Sequence, residues 1–238
     1  NKGQNDLSFD ATTTLVHFSS YDTQSAGANQ RVHLQWIGGA WRPFVAGDLK
    51  VASLNELNVL LGDFLPEPLR YLRGTITPGV AYVKDKAEIG VSLAVSKTKY
   101  ESEFDLFGFR RDNDRVQPAI YAKFNGENFS FAGAVSYFRA ASRDADFSDV
   151  KAILFEASVA ASWDKWSGEA ALARSAEDTS FPISPVTINT AAHAKLMREI
   201  GGKTAAGIFA RMLSREYCDS PFYSRTRTAG IEVRRDFD

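Results

Sequence analysis

The chain is poor in the residues that build disulfides, metal centres and helical membrane spans. Its 238 residues include one cysteine, Cys218, and three histidines, His17, His33 and His193. A lone cysteine excludes an internal disulfide and any cysteine-based metal centre. There is no run of roughly eighteen apolar residues, so no membrane-crossing helix is expected. An excess of charge of one sign is also missing. Twenty-eight Lys and Arg against 29 Asp and Glu leave a formal charge of −1, with no basic field to attract nucleic acid. No glycine loop follows a strand and opens a helix, so nothing reads as a phosphate cradle. No Pro/Gly/Ser linker or residue-level repeat divides the chain, which reads as one domain over residues 1–238.

What the chain does have is a period of two. Ile89, Val91, Leu93 and Val95 alternate with Gly90, Ser92, Ala94 and Ser96, and Phe129, Phe131, Val135 and Tyr137 alternate with Ser130, Ala132, Ala134 and Ser136. Such alternation marks strands with two unlike faces. Nine strands are read from residue 75 onward: Thr75–Lys84, Glu88–Lys97, Val116–Phe124, Phe129–Arg139, Val150–Trp163, Ser167–Ser175, Val186–Met197, Thr204–Leu213 and Thr228–Phe237. The eight connectors between them alternate strictly. Asp85–Ala87, Asn125–Asn128, Asp164–Trp166 and Glu199–Lys203 are short, whereas Thr98–Arg115, Ala140–Asp149, Ala176–Pro185 and Ser214–Arg227 are long and polar. Short turns on one side and long loops on the other are the signature of an up-and-down barrel that crosses a membrane.

The first third is less regular. Leu7–Phe18, Arg31–Trp41 and Phe44–Ala52 read as strands, with a turn around Trp41-Arg42-Pro43. That brings the expected total to about twelve, an all-β antiparallel barrel with both termini on the short-turn side. Ser53–Gly74 breaks the rhythm. Ser53 with Glu56 fits a capping box, Leu57, Leu60 and Leu61 then share a helical face with Leu54, and Gly62 ends the run. The expectation is a long loop with a short helix near residues 53–62. It either caps the surface or folds inward as a constriction. The small residues Gly79, Ala81, Gly90, Ala94, Ala132 and Ala134 leave room for it.

Two closures fit the alternation. A soluble barrel would turn the apolar parity inward. A membrane barrel would turn it outward and set Gln117, Lys123, Glu156, Glu169, His193, Lys195, Arg211, Glu232 and Arg234 along the lumen. The reverse assignment in lipid would cost about 2–4 kcal/mol for each Lys or Arg near the midplane. The connector asymmetry favours the membrane closure. So do Trp36, Trp41, Tyr82, Phe129, Tyr137, Trp163 and Trp166, which fall near strand ends where interfacial girdles lie.

On these features the chain resembles bacterial outer-membrane β-barrel proteins of the porin-like kind, along nearly its whole length. The last strand looks like the C-terminal signal read by the barrel-insertion machinery: Ala229, Ile231, Val233 and Phe237 match it, while Arg235 and Asp238 depart from it. The tail from Ser220 to Arg227 is also similar to the end of surface-lipoprotein assembly modifier barrels, whose helical-repeat domain has no counterpart here. The resemblance implies residence in the bacterial outer membrane, with outer-membrane lipid, lipopolysaccharide and the insertion machinery as partners. It also allows homo-oligomers or an envelope protein partner. The expected function is a narrow, charged pore for small solutes or ions. The alternative is a non-conducting barrel that anchors or accompanies an envelope assembly.

No catalytic residue, cofactor or metal ligand set is assigned. His193 has Thr190 as its nearest preceding hydroxyl, but no third group stands nearby to orient a nucleophile and base. The acidic loops, with Glu101, Glu103, Asp105, Asp112, Asp114, Asp144, Asp146 and Asp149, lack the calcium-loop pattern and read as solvated charge. Asp178 reads likewise as an accessible loop residue. The pairs Arg110-Arg111 and Arg225/Arg227 offer contacts for lipid phosphates or anionic solutes.

Overall fold

The computed structural model describes residues 7–20, 23–54, 69–180, 184–201, 204–218 and 220–235. They form twelve antiparallel strands in one sheet, each paired with its neighbours in sequence. The strands are β1 (Leu7–Ser20), β2 (Thr23–Trp36), β3 (Trp41–Leu54), β4 (Leu69–Lys84), β5 (Ala87–Tyr100), β6 (Asn113–Asn125), β7 (Phe129–Ser142), β8 (Val150–Trp163), β9 (Trp166–Asp178), β10 (Val186–Gly201), β11 (Thr204–Tyr217) and β12 (Tyr223–Arg235). Among the described residues β1 does not pair with β12, so the sheet is an open meander and not a closed ladder. It is nevertheless curled: side chains of β4 and β6 reach Asp178 at the end of β9, five and three strands away.

The curl turns the apolar parity outward. Ile76, Val91, Val135, Ile153, Ile208 and Ile231 are all exposed on the outer face, Ile231 by 79%. At the end carrying the short turns, Trp36, Trp41, Phe124, Phe129 and Trp163 are exposed on that face, and Trp41 meets Tyr82 edge-on at 5.1 Å. The tight turns β4–β5 and β8–β9 place Asp85 (φ 51°) and Asp164 (φ 49°) in the left-handed region, which Asp tolerates in hairpins.

Three expectations are corrected. Residues 19–20 and 23–30 are strand, not connector: β1 and β2 pair to Ser20 opposite Thr23. Gln24, Ala26, Gly27 and Asn29 give the sequence no apolar alternation there, although the register is continuous. Trp41-Arg42-Pro43 lies inside β3, and the turn falls at residues 37–40. The helix expected near residues 53–62 does not include Ser53 or Leu54, and the rest of that span lies outside the described residues. Ser53 and Leu54 end β3, opposite Arg70 and Leu69, and no helix occurs among the described residues. Glu56, Leu57, Leu60 and Leu61 lie outside the described residues, as does Phe237.

Candidate functional site

The inner face is polar in its middle. Pairing carries one inward row from Gln35 through Phe44, Gly79, Ser92 and Ala119 to Ser136. All of this row but Gly79 borders a cavity of about 580 Å³, also lined by His33, Glu88, Tyr121, Lys123, Glu156 and Arg174. Glycine makes room for its two rings. A Cβ on Gly79 would lie 2.2 Å from Cζ of Phe44, and one on Gly90 would lie 2.5 Å from Cζ of Tyr121. Both rings therefore lie against the wall instead of filling the space, 6.4 Å apart between centroids. Gln117 donates to the Ser136 hydroxyl at 2.9 Å, and Lys123 stands 5.4 Å from the Tyr121 ring.

Toward the short-turn end a second cavity, of about 350 Å³, is bordered by Glu169, Lys195 and Arg234. Lys195 Nζ donates to Glu232 Oε1 at 2.7 Å, and His193 Nε2 stands 3.6 Å from Glu169 Oε1. Arg211 pairs across the ladder with His193, and its guanidinium sits 5.2 Å from the Phe209 ring. Thr190 pairs with Arg174 and Ser214, on the strand face opposite His193, so these two do not meet. Three of the expected lumen residues thus border the larger cavity and three the smaller. Among the described residues no group of His, Cys, Asp or Glu could hold a metal ion.

The long-loop end is different, and it is the feature that sequence reading missed. Pairing between β8 and β9 stops at Phe155 opposite Arg174, while β9 and β10 stay paired up to Asp178 opposite Val186. The end of the β9–β10 hairpin therefore leaves the wall and turns inward. Both of its faces are covered: Val186, Thr187, Ile188 and Asn189 are all buried. Val186 and Ile188 pack on Phe138, Ala140, Val150 and Leu154 of β7 and β8. Asp178 reaches the other wall and accepts from Arg73 of β4 and Arg115 of β6, with its side chain only 2% exposed. Arg111 donates to the Thr179 carbonyl at 2.6 Å and pairs with Asp105 at 2.7 Å. Around them Arg73 donates to Thr98, Arg115 donates to Asn113, and Tyr71 stacks near Tyr100 at 5.5 Å. Asp178, expected in an accessible loop, is buried, because two inward guanidinium groups supply the partners it would otherwise find in water.

The acidic connectors hold their own backbone. Asp105 accepts from the N–H groups of Phe107 and Phe109, Asp112 from that of Tyr100, and Asp144 from those of Arg110 and Asp146. The two backbone donors hold the Asp144 carboxyl below its ordinary pKa. In β12, Ile231 and Val233 are exposed on the outer face.

Compared with known proteins, the chain matches no protein-family model and no curated protein.

Proposed function

We propose that the protein is an outer-membrane β-barrel with a narrow, charged lumen for the passage of small solutes or ions. The observation that carries this reading is the inversion of the sheet. Large apolar side chains stand exposed along the outer face, while Arg, Lys, Glu, Gln and Ser line the cavities within. In water such a wall would expose far more apolar surface than a soluble protein tolerates. In a bilayer it meets hydrocarbon, and the 13- to 16-residue strands from β3 onward exceed the roughly 9–11 residues a tilted strand needs to cross. Closure of the sheet between β1 and β12 belongs to the same reading, because an open strand edge is not tolerated in lipid. Selectivity then comes from the lumen charges and from the inward hairpin, which narrows the long-loop end.

A second reading is favoured by that same hairpin. Its apolar packing and buried ion pairs are what a permanent closure would use, and the protein would then be a non-conducting anchor or accessory subunit of an envelope assembly. Recording from purified protein in planar bilayers separates the two. Small discrete conductance steps are expected. Silent membranes, with insertion demonstrated by protease protection, would remove the pore reading and leave the accessory one.

A further inference from the structure

Where β9 turns away from β8, the outer face of the wall carries a groove of about 690 Å³. Asp149 and Lys151 at the start of β8, Arg174 of β9, which also borders the interior cavity, Glu216 of β11, and Phe222 with Arg225 border it. The register places cations side by side on this face: Arg139 lies opposite Lys151, and the row Arg174, Thr190, Ser214, Arg225 crosses four strands. Arg227 stands two residues along on the same face.

Carboxylates answer only part of this charge. Arg139 is held by Asp149 at 2.8 Å, and Arg174 lies 3.6 Å from Glu216. Among the described residues Lys151 and Arg225 have no carboxylate within 4.0 Å. Arg174 Nε is buried and has no acceptor. The groove therefore has surplus positive charge and an unanswered donor. Aliphatic side chains flank it on one side and aromatic ones on the other. Toward the strand middles Ile153 and Leu172 are exposed on the outer face, while Phe222 and Tyr223 are exposed at the opposite rim.

We propose that this groove holds the anionic phosphate headgroup of a membrane lipid, with Lys151, Arg174 and Arg225 as its cationic partners. The proposal rests on the membrane reading of the apolar wall. Guanidinium and ammonium groups make short, charge-assisted hydrogen bonds to phosphate oxygens. A free anion would gain nothing from Ile153 and Leu172. The acyl chains of a lipid lie against them while its headgroup occupies the groove. The site exists because the hairpin turns inward, since a fully paired β8–β9 ladder would close it.

The test is native mass spectrometry of the detergent-solubilised protein with dioleoyl phosphatidylglycerol or the zwitterionic dioleoyl phosphatidylcholine. Phosphatidylglycerol adducts should be retained about tenfold more strongly. The Lys151→Ala/Arg225→Ala double variant should lose that preference. Lys84→Ala/Lys165→Ala, which removes the same charge at the short-turn end, should keep it. Circular dichroism and insertion into phosphatidylcholine vesicles show that each variant folds. Equal retention of the two lipids, an unchanged preference in the groove variant, or displacement of phosphatidylglycerol by inorganic phosphate would overturn the proposal. Failure of the parent protein to enter phosphatidylcholine vesicles would instead remove the membrane reading, and the lipid site with it.

Discussion

Arg115 on β6 and Asp178 at the end of β9 are joined by a hydrogen-bonded ion pair across the interior, 63 residues apart in the chain. Arg73 takes the other carboxylate oxygen from β4. One carboxylate therefore holds the inward hairpin to two strands of the facing wall. Removing it leaves the buried Arg115 and the half-buried Arg73 without a carboxylate, which costs about 3–5 kcal/mol. Asp178→Asn should lower the urea midpoint and release the hairpin end, raising conductance if the lumen conducts. An unchanged midpoint together with unchanged conductance would mean that the hairpin is held by its apolar packing alone.

The facing of β5 predicts opposite outcomes at neighbouring positions. Val91 is 49% exposed on the outer wall, and Ser92 borders the interior cavity. Val91→Arg should impair vesicle insertion, at a cost of about 2–4 kcal/mol near the midplane. Ser92→Arg should insert normally and, if the barrel conducts, reduce conductance. Equal insertion defects at both positions would disprove the assignment of faces.

Topology is read by cysteine reporters in a Cys218→Ser background. Asp146, exposed in the connector between β7 and β8, should label in intact cells with an impermeant reagent, whereas Gly126 in a short turn should not. A reporter at Asp178 should stay unlabelled because the site is buried. Labelling of Gly126 but not Asp146 would invert the orientation.

Two glycines should respond differently to the same added methyl group. At Gly90 it would meet the far end of the Tyr121 side chain, which can swing into the cavity. Gly90→Ala should therefore narrow the lumen, with a stability change of about 1 kcal/mol or less. At Gly207 it would lie 2.1 Å from the Leu196 carbonyl oxygen, which belongs to the paired backbone and cannot swing aside. Gly207→Ala should destabilise by about 2–3 kcal/mol in urea titration. Similar losses at both would show that Tyr121 is as tightly held as the backbone.

Acid should loosen the loops before the wall. Asp144 accepts the Arg110 N–H and so ties the β7–β8 connector to the β5–β6 connector, with its carboxyl held below the usual value. That contribution is complete above the unfolded carboxyl pKa of about 3.9 and is lost as the pH falls through the lower folded value. Pepsin should then cut near the exposed Phe104, Leu106 and Phe107. Asp144→Asn should be cut at higher pH than the parent. Coincident cleavage profiles would mean that the Asp144 tie does not order the loop.

The sequence by itself determined the strand count, the antiparallel order and the two unlike faces. A period of two and tight turns with Asp or Asn-Gly are local signals that survive without knowledge of neighbours. The expected lumen residues follow from parity in the same way, and for that reason Gln117, Lys123 and Glu156 come together at one cavity. Local signals failed where pairing is decided by the partner strand, as in Thr23–Gln30, whose small and polar side chains show no alternation. Only the tertiary structure decided that the β9–β10 hairpin leaves the wall. Its residues read as an ordinary long connector, because Asp178 looks solvated until Arg73 and Arg115 are brought to it from strands 105 and 63 residues away. Burial of a charge depends on partners that are distant in the chain, and no periodicity encodes them.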